Sequence, residues 1–277
     1  MPRISYVERS DRFDAEAAAA AATDDSDRQL IILLGRPGLD ASERIRVTAA
    51  LGESGTGPEG SAAVHSQFSD AMARLTDPKS GWHWWRDLAC AAVIALARRE
   101  GPAATDAYLT AADSADRAVR QYGLMVLEVD GDDRAWDPML ARVGEILARK
   151  RISYGRWDEL LMAVGYLARH SARNAARAER LITLLRANWG TLAHPPQKRV
   201  DRGPYVEPEV EAAARIEELW PGIEPDGPPA AALDLHRLHT PVAWWRPGSR
   251  PPSPGVAPSS PAPSSSPVRS AERFGGT

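Results

Sequence analysis

Along most of this chain the apolar residues return every three or four positions. Almost no window shows the alternation of Val, Ile and Thr with polar residues that a half-buried strand needs. The spacing predicts helices near 27–35, 41–53, 61–76, 83–99, 102–112, 115–128, 134–149, 154–168, 172–188 and 207–219. In 154–168, Leu160, Leu161, Val164 and Leu167 share one broad apolar face. In 172–188, Ala178, Leu181, Ile182 and Leu185 form the apolar face, Arg173 and Arg180 lie largely opposite, and Arg177 sits at the margin.

The junctions carry the matching stop and start signals. Gly35 and Pro37 close the first helix, and Asp40 stands where an N-cap belongs. Gly52, Gly55, Gly57 and Pro58 make a loop, Gly101 and Pro102 end one helix and open another, and Asp130, Gly131 and Asp132 make a turn. Upstream, Ala15 to Ala22 is broken only by Glu16. Residues 1–23 therefore read as a short helix or a frayed arm, since isolated helices of this length are marginal without packing. The helical body is expected over 24–220, and beyond it the composition changes. Thirteen of the 23 prolines lie at or after Pro221. Residues 221–246 contain the apolar run AAALDLHRLHTPVAWW (230–245), a docking segment or a linear motif. Residues 247–277 are Pro- and Ser-rich and are expected to be disordered, because they hold too little apolar surface to offset the entropy of ordering.

Three windows align when an arginine is taken as anchor: Arg44 to Gly52, Arg86 to Ile94 and Arg120 to Glu128. Each has small or apolar residues three and four after the arginine and an apolar pair six and seven after it. Those offsets put one stripe on one side of a helix. Acidic residues precede each window: Asp40, then Asp77, then Asp113 and Asp116. The anchors are 42 and 34 residues apart, suitable for helix-pair units. Val119-Arg120 and Ala50-Leu51-Gly52 resemble the Val-Arg opening and the Ala-Leu-Gly ending of the second helix of HEAT repeats. No window carries the whole signature: Trp85 replaces Val in the second, and Gly123 and Leu124 take the small positions in the third. The resemblance covers roughly 27–170. It implies an all-α protein, a right-handed α-solenoid of about four to five antiparallel helix pairs with an extended binding face.

Composition narrows the chemistry. At 277 residues and 43% hydrophobic content the chain can bury one sizeable core. One cysteine, Cys90, excludes a disulfide framework and a Cys-based zinc site, and its apolar surroundings make it a small hydrophobe. The longest apolar run, Leu88 to Ala97, is about half of a membrane span, and no secretory signal pattern opens the chain, so the expectation is a cytoplasmic protein with no membrane partner. The net charge of −3 divides unevenly: −8 over residues 1–140, +8 over 141–205 and −3 over 206–277. The basic segment could meet an acidic protein, a nucleic acid, or the acidic first half of the same chain.

Two regions stand out as partner contacts. In GWHWWRDLACA (81–91), Trp85 occupies the position that the repeat buries and is assigned to the core, which leaves Trp82 and Trp84 for a surface role. A stacking platform for single strands needs more basic residues than Arg86 and Lys79. The second region is the basic stretch of Arg149, Lys150, Arg151, Arg156 and Trp157. A Trp and an Asp (Trp157 and Asp158) on a basic helical body resemble, in outline only, HEAT-like DNA glycosylases. His236 and His239 have zinc-ligand spacing but no further ligand cluster, and the DGDD of 130–133 is too short for a calcium loop. No P-loop, dinucleotide fingerprint, nucleophile elbow or zinc-protease motif is present. The sequence thus points to a non-enzymatic protein-interaction scaffold or adaptor, without cofactor, metal or catalytic residues. The alternative is a HEAT-like nucleic-acid binder or glycosylase-type enzyme using the basic 141–205 segment.

Overall fold

The computed structural model describes residues 6–55, 57–76, 82–150, 152–193, 216–217, 221–229 and 232–233, with backbone alone for 6–12, 82 and 154. Among the described residues there are helices and turns but no strand. The α-helices are α1 (Tyr6–Ala21), α2 (Ser26–Leu34), α3 (Ala41–Leu51), α4 (Pro58–Leu75), α5 (Trp82–Arg99), α6 (Thr105–Ala112), α7 (Arg117–Asp130), α8 (Trp136–Leu147), α9 (Tyr154–Ser171), α10 (Ala175–Ala187) and α11 (Trp189–Ala193). Short 3-10 turns at Gly101–Ala104 and Asp133–Ala135 lead into α6 and α8.

The helix boundaries follow from local chemistry. The Asp40 carboxylate accepts the Glu43 backbone N–H while the Glu43 carboxylate accepts that of Asp40, a complete capping box for α3. Asp116 accepts from Ala118 and Val119 N–H at the start of α7, and Asn174 accepts from Arg177 N–H at the start of α10. Two of the acidic residues noted ahead of the arginine windows are therefore N-caps. Gly101 turns the chain with φ 54°, a left-handed conformation that favours glycine, and the Tyr108 hydroxyl donates to its carbonyl at 2.7 Å. The expected helix 207–219 lies outside the described residues except for 216–217, which are helical.

The N-terminal Ala-rich stretch is no frayed arm. It belongs to the 16-residue α1, which packs on α2 and α3 and buries Phe13 and Ala17. Arg36 reaches Glu16, and Arg46 reaches Asp14, across that contact. Packing supplies what an isolated helix of this length lacks. At the far end, Ile223 and Leu233 are buried, and Arg186 of α10 donates to the carbonyls of Ile223 (3.0 Å), Gly222 (3.3 Å) and Pro228 (2.5 Å). The first residues after Pro221 are thereby tied to α10. The rest of 230–245, and all of 247–277, lie outside the described residues apart from 232–233.

The packing follows a regular rule. α3 lies against α5, α5 against α7, and α7 against α9, while α4 packs on α5, α6 on α7, and α8 on α9. All three arginine-anchored windows fall on the helices that pack in succession. Their small residues sit where backbones meet. A Cβ on Gly123 would lie 2.5 Å from the Ala112 nitrogen and 2.8 Å from the Tyr108 oxygen of α6. A Cβ on Gly52 would lie 2.7 Å from the Ala95 Cα of α5.

Two buried ion networks stitch neighbouring helices together. Arg99, at the end of α5, has a fully buried side chain held bidentately by Asp27 of α2 at 3.0 and 2.6 Å, with further donations to the Leu51 and Gly57 carbonyls. Glu159 of α9, with a side chain 1% exposed, accepts from Arg120 of α7 at 2.7 Å and from Arg156 one turn earlier, with Arg142 of α8 3.9 Å away. Arg120, the anchor of the third window, also donates to the Ser114 and Ala115 carbonyls of the α6–α7 turn. It therefore closes its own helix pair and holds the next.

Candidate interaction surface

The tryptophan cluster divides as its helical spacing demands, with one difference. Trp84 is 49% exposed, one of two large apolar side chains so open among the described residues, the other being Ile32. The side chain of Trp82 lies outside the described residues. Trp85 is half-buried rather than fully enclosed: the Arg74 guanidinium of α4 covers its ring at 4.8 Å from the centroid, a cation–π contact. Trp85 stands in the first turn of α5, and an arginine from α4 lies over its ring.

The basic region fares differently residue by residue. Arg149 and Lys150 are exposed just past the end of α8, and Arg151 lies outside the described residues. Arg156 is half-buried and ion-paired with Glu159. Trp157 corrects the expectation: it is 1% exposed and belongs to the core. The spacing could have shown this, since Trp157 precedes Leu160, Leu161 and Val164 by three, four and seven residues on their own face. With Trp157 enclosed, the outline resemblance to glycosylases loses its aromatic.

Part of the charge of the 141–205 segment is met by the acidic first half. Arg142 pairs with Asp113, Arg177 and His170 pair with Asp133, and Arg180 pairs with Asp137. Asp113, Asp133 and Asp137 are mostly exposed, so these pairs cost little desolvation, contribute little stability each, and mainly cancel the field of the basic segment.

The first turns of α5, α7 and α9 are neighbours. Arg86 of α5 lies in the field of Asp116, the α7 cap, and its own pair with Asp87 and that field raise its already high pKa. Arg117 of α7 approaches Asp158 of α9 at 3.9 Å, and its guanidinium lies over Gly155, where a Cβ would come within 2.8 Å. Trp84, Arg86, Arg117 and Arg156, separated by up to 72 residues in the sequence, thus fall along adjoining helix starts. Sequence reasoning placed Trp84 and Arg156 in two separate regions and did not single out Arg117.

Behind that edge runs a second stripe that sequence reasoning missed. Ala91 of α5, Tyr122 and Met125 of α7, and Leu161 and Met162 of α9 are half-buried on the consecutively packed helices. Burial raises the Tyr122 hydroxyl pKa, with Cys90 and Asp87 of α5 adding to it. The stripe ends at Glu128, whose carboxylate lies where a Cβ on Gly165 would be 2.5 Å away. Burial pushes the Glu128 carboxyl up to about 7, opposed by the Arg169 charge. The signal was a spacing of three and four beside the main apolar face, Tyr122-Met125 and Leu161-Gly165, easily absorbed into that face.

Burial pushes the Cys90 thiol up to about 12, so at neutral pH it is not a thiolate nucleophile. No cluster of three or more His, Cys, Asp or Glu fit to hold a metal occurs among the described residues, and no described helix is long and apolar enough to cross a membrane. No protein-family model matches the chain, and no curated protein matches it in sequence.

Proposed function

We propose that the chain is a HEAT-like α-solenoid serving as a non-enzymatic protein-interaction scaffold. What supports the solenoid is that the three arginine-anchored windows lie on helices that pack in succession, each covered by the helix before it. Such stacking presents one row of helices as an extended face. What supports a protein partner is the composition of that face. Trp84 stands open at its edge, Tyr122, Met125, Leu161 and Met162 are half-buried across it, and Arg86, Arg117 and Arg156 accompany them. Aromatic, Met and Arg residues are the types enriched at protein interfaces. Arg149 and Lys150 extend the basic rim toward an acidic partner.

The test is capture of the full-length protein's partners from its native host by cross-linking, with Trp84→Glu and the pair Arg149→Glu/Lys150→Glu as variants. A stable partner lost with Trp84→Glu, with helical content unchanged by circular dichroism, supports the reading. Capture insensitive to both variants removes this face from it. The nucleic-acid alternative stands on the basic 141–205 segment, in which Arg149, Lys150 and Arg173 are exposed, and a salt-titrated duplex-binding assay decides it: no affinity at low salt ends it.

A further inference from the structure

The geometry points to a binding site for a phosphate group, free or as a small phosphate monoester, in the pocket between the end of α9 and the start of α10. The pocket measures about 510 Å³, within the range of small-molecule sites and larger than a bare phosphate needs. Its polar lining is Asp133, Arg169, His170, Arg173, Asn174 and Arg177. Three arginines and a histidine therefore line the pocket beside one aspartate, and Arg169 also lies in the field of Glu128.

Three of the four donors are held in place. His170 stacks on Tyr166 with ring centroids 4.4 Å apart and meets the Asp133 carboxylate through Nδ1 at 2.8 Å. Arg177 meets the same Asp133 oxygen at 2.9 Å, and its guanidinium lies 5.3 Å from the Trp136 ring centroid. Arg169 is anchored by donation to the Val129 carbonyl at 2.8 Å. The single acidic group is thus engaged by His170 and Arg177, whose hydrogen bonds hold its carboxyl below the usual value, while Arg169 and Arg173 line the pocket beside it. Arg173 is exposed at the rim and has no hydrogen-bond or ion-pair partner among the described residues. Asn174, the N-cap of the 13-residue α10, lies in the lining, and its side chain accepts the Arg177 backbone N–H. Fixed guanidiniums beside a helix N-terminus suit a tetrahedral dianion, which takes several charge-assisted hydrogen bonds at once. The volume beyond the anion leaves room for the organic part of a monoester.

The test is titration calorimetry of the full-length protein at fixed ionic strength, with inorganic phosphate and with glycerol 2-phosphate as probes. Saturable binding of either is expected, and tighter binding of the monoester would assign the remaining volume to its organic part. Arg173→Glu, which breaks no contact in the fold, should weaken binding about tenfold or more. Arg28→Glu, an equal charge change at a 70% exposed side chain on α2, should leave it unchanged. The proposal is overturned if neither probe binds, or if the two variants weaken binding alike, since the attraction would then belong to the whole protein.

Discussion

Replacing Asp27 by alanine tests the network that ties α2 to α5. The Arg99 side chain is fully buried and Asp27 is its only carboxylate partner within the network, both oxygens being engaged. Without it the guanidinium keeps the Leu51 and Gly57 carbonyls and the Ser61 hydroxyl, but no counter-ion. An uncompensated buried charge of this kind costs about 3–5 kcal/mol. Against a total of about 5–15 kcal/mol for a domain, that is a large share. The double variant Asp27→Ala/Arg99→Met removes the stranded charge as well, and should be more stable than Asp27→Ala alone. Urea unfolding followed by circular dichroism measures both. The pH dependence gives a second handle. The hydrogen bonds from Arg99 hold the Asp27 carboxyl below its ordinary value, outweighing the opposing effect of burial. Its stabilisation is then fully present above the unfolded-state pKa near 3.8 and is lost as pH falls through the lower folded value. The wild type should therefore lose its advantage over Asp27→Ala in acid. A cost for Asp27→Ala below about 1 kcal/mol at pH 7, or a double variant no more stable than the single, would refute the reasoning.

Gly123→Ala should destabilise by about 1–3 kcal/mol in the same assay, because the added Cβ meets α6 backbone that cannot move away as a side chain could. Trp157→Ala should cost about 3–5 kcal/mol and Trp84→Ala within about 0.5 kcal/mol, separating the enclosed ring from the open one by their unfolding midpoints. Glu128→Gln should raise stability at pH 8 relative to pH 5: the Glu128 carboxyl sits at about 7, above its unfolded value of 4.5, so ionising it penalises the fold increasingly as pH rises through that window. Equal effects of Glu128→Gln at the two pH values would count against a buried, raised carboxyl.

Much of the helical order was legible because its causes are local. Asp40, Asp116 and Asn174 cap helices through side chains two or three residues from the groups they satisfy. Gly101 and Pro102 mark a junction by their own backbone preferences. The all-helical class and the succession of short helices followed from the three-to-four periodicity alone. A 3-10 turn took the first residues of two helices, at 101–104 and 133–135, and other ends moved by up to three residues: α4 begins at Pro58 rather than 61, α9 runs to Ser171 rather than 168, and α10 begins at Ala175 rather than 172.

What the sequence by itself determined, then, was the element type, most of the helix order, and the small positions at Gly52 and Gly123. What only the tertiary structure decided was which side chains meet across elements. α1 is a packed helix because α2 and α3 cover Phe13 and Ala17, a burial that no local propensity encodes. Trp85 is half-covered because Arg74, from another helix, lies over it. Part of the basic charge of 141–205 is met by Asp113, Asp133 and Asp137, and Arg169 and Arg173 line the α9–α10 pocket beside Asp133. Periodicity reports which face of a helix is apolar. The identity of the group opposite that face is a property of the packing, because it joins residues tens of positions apart.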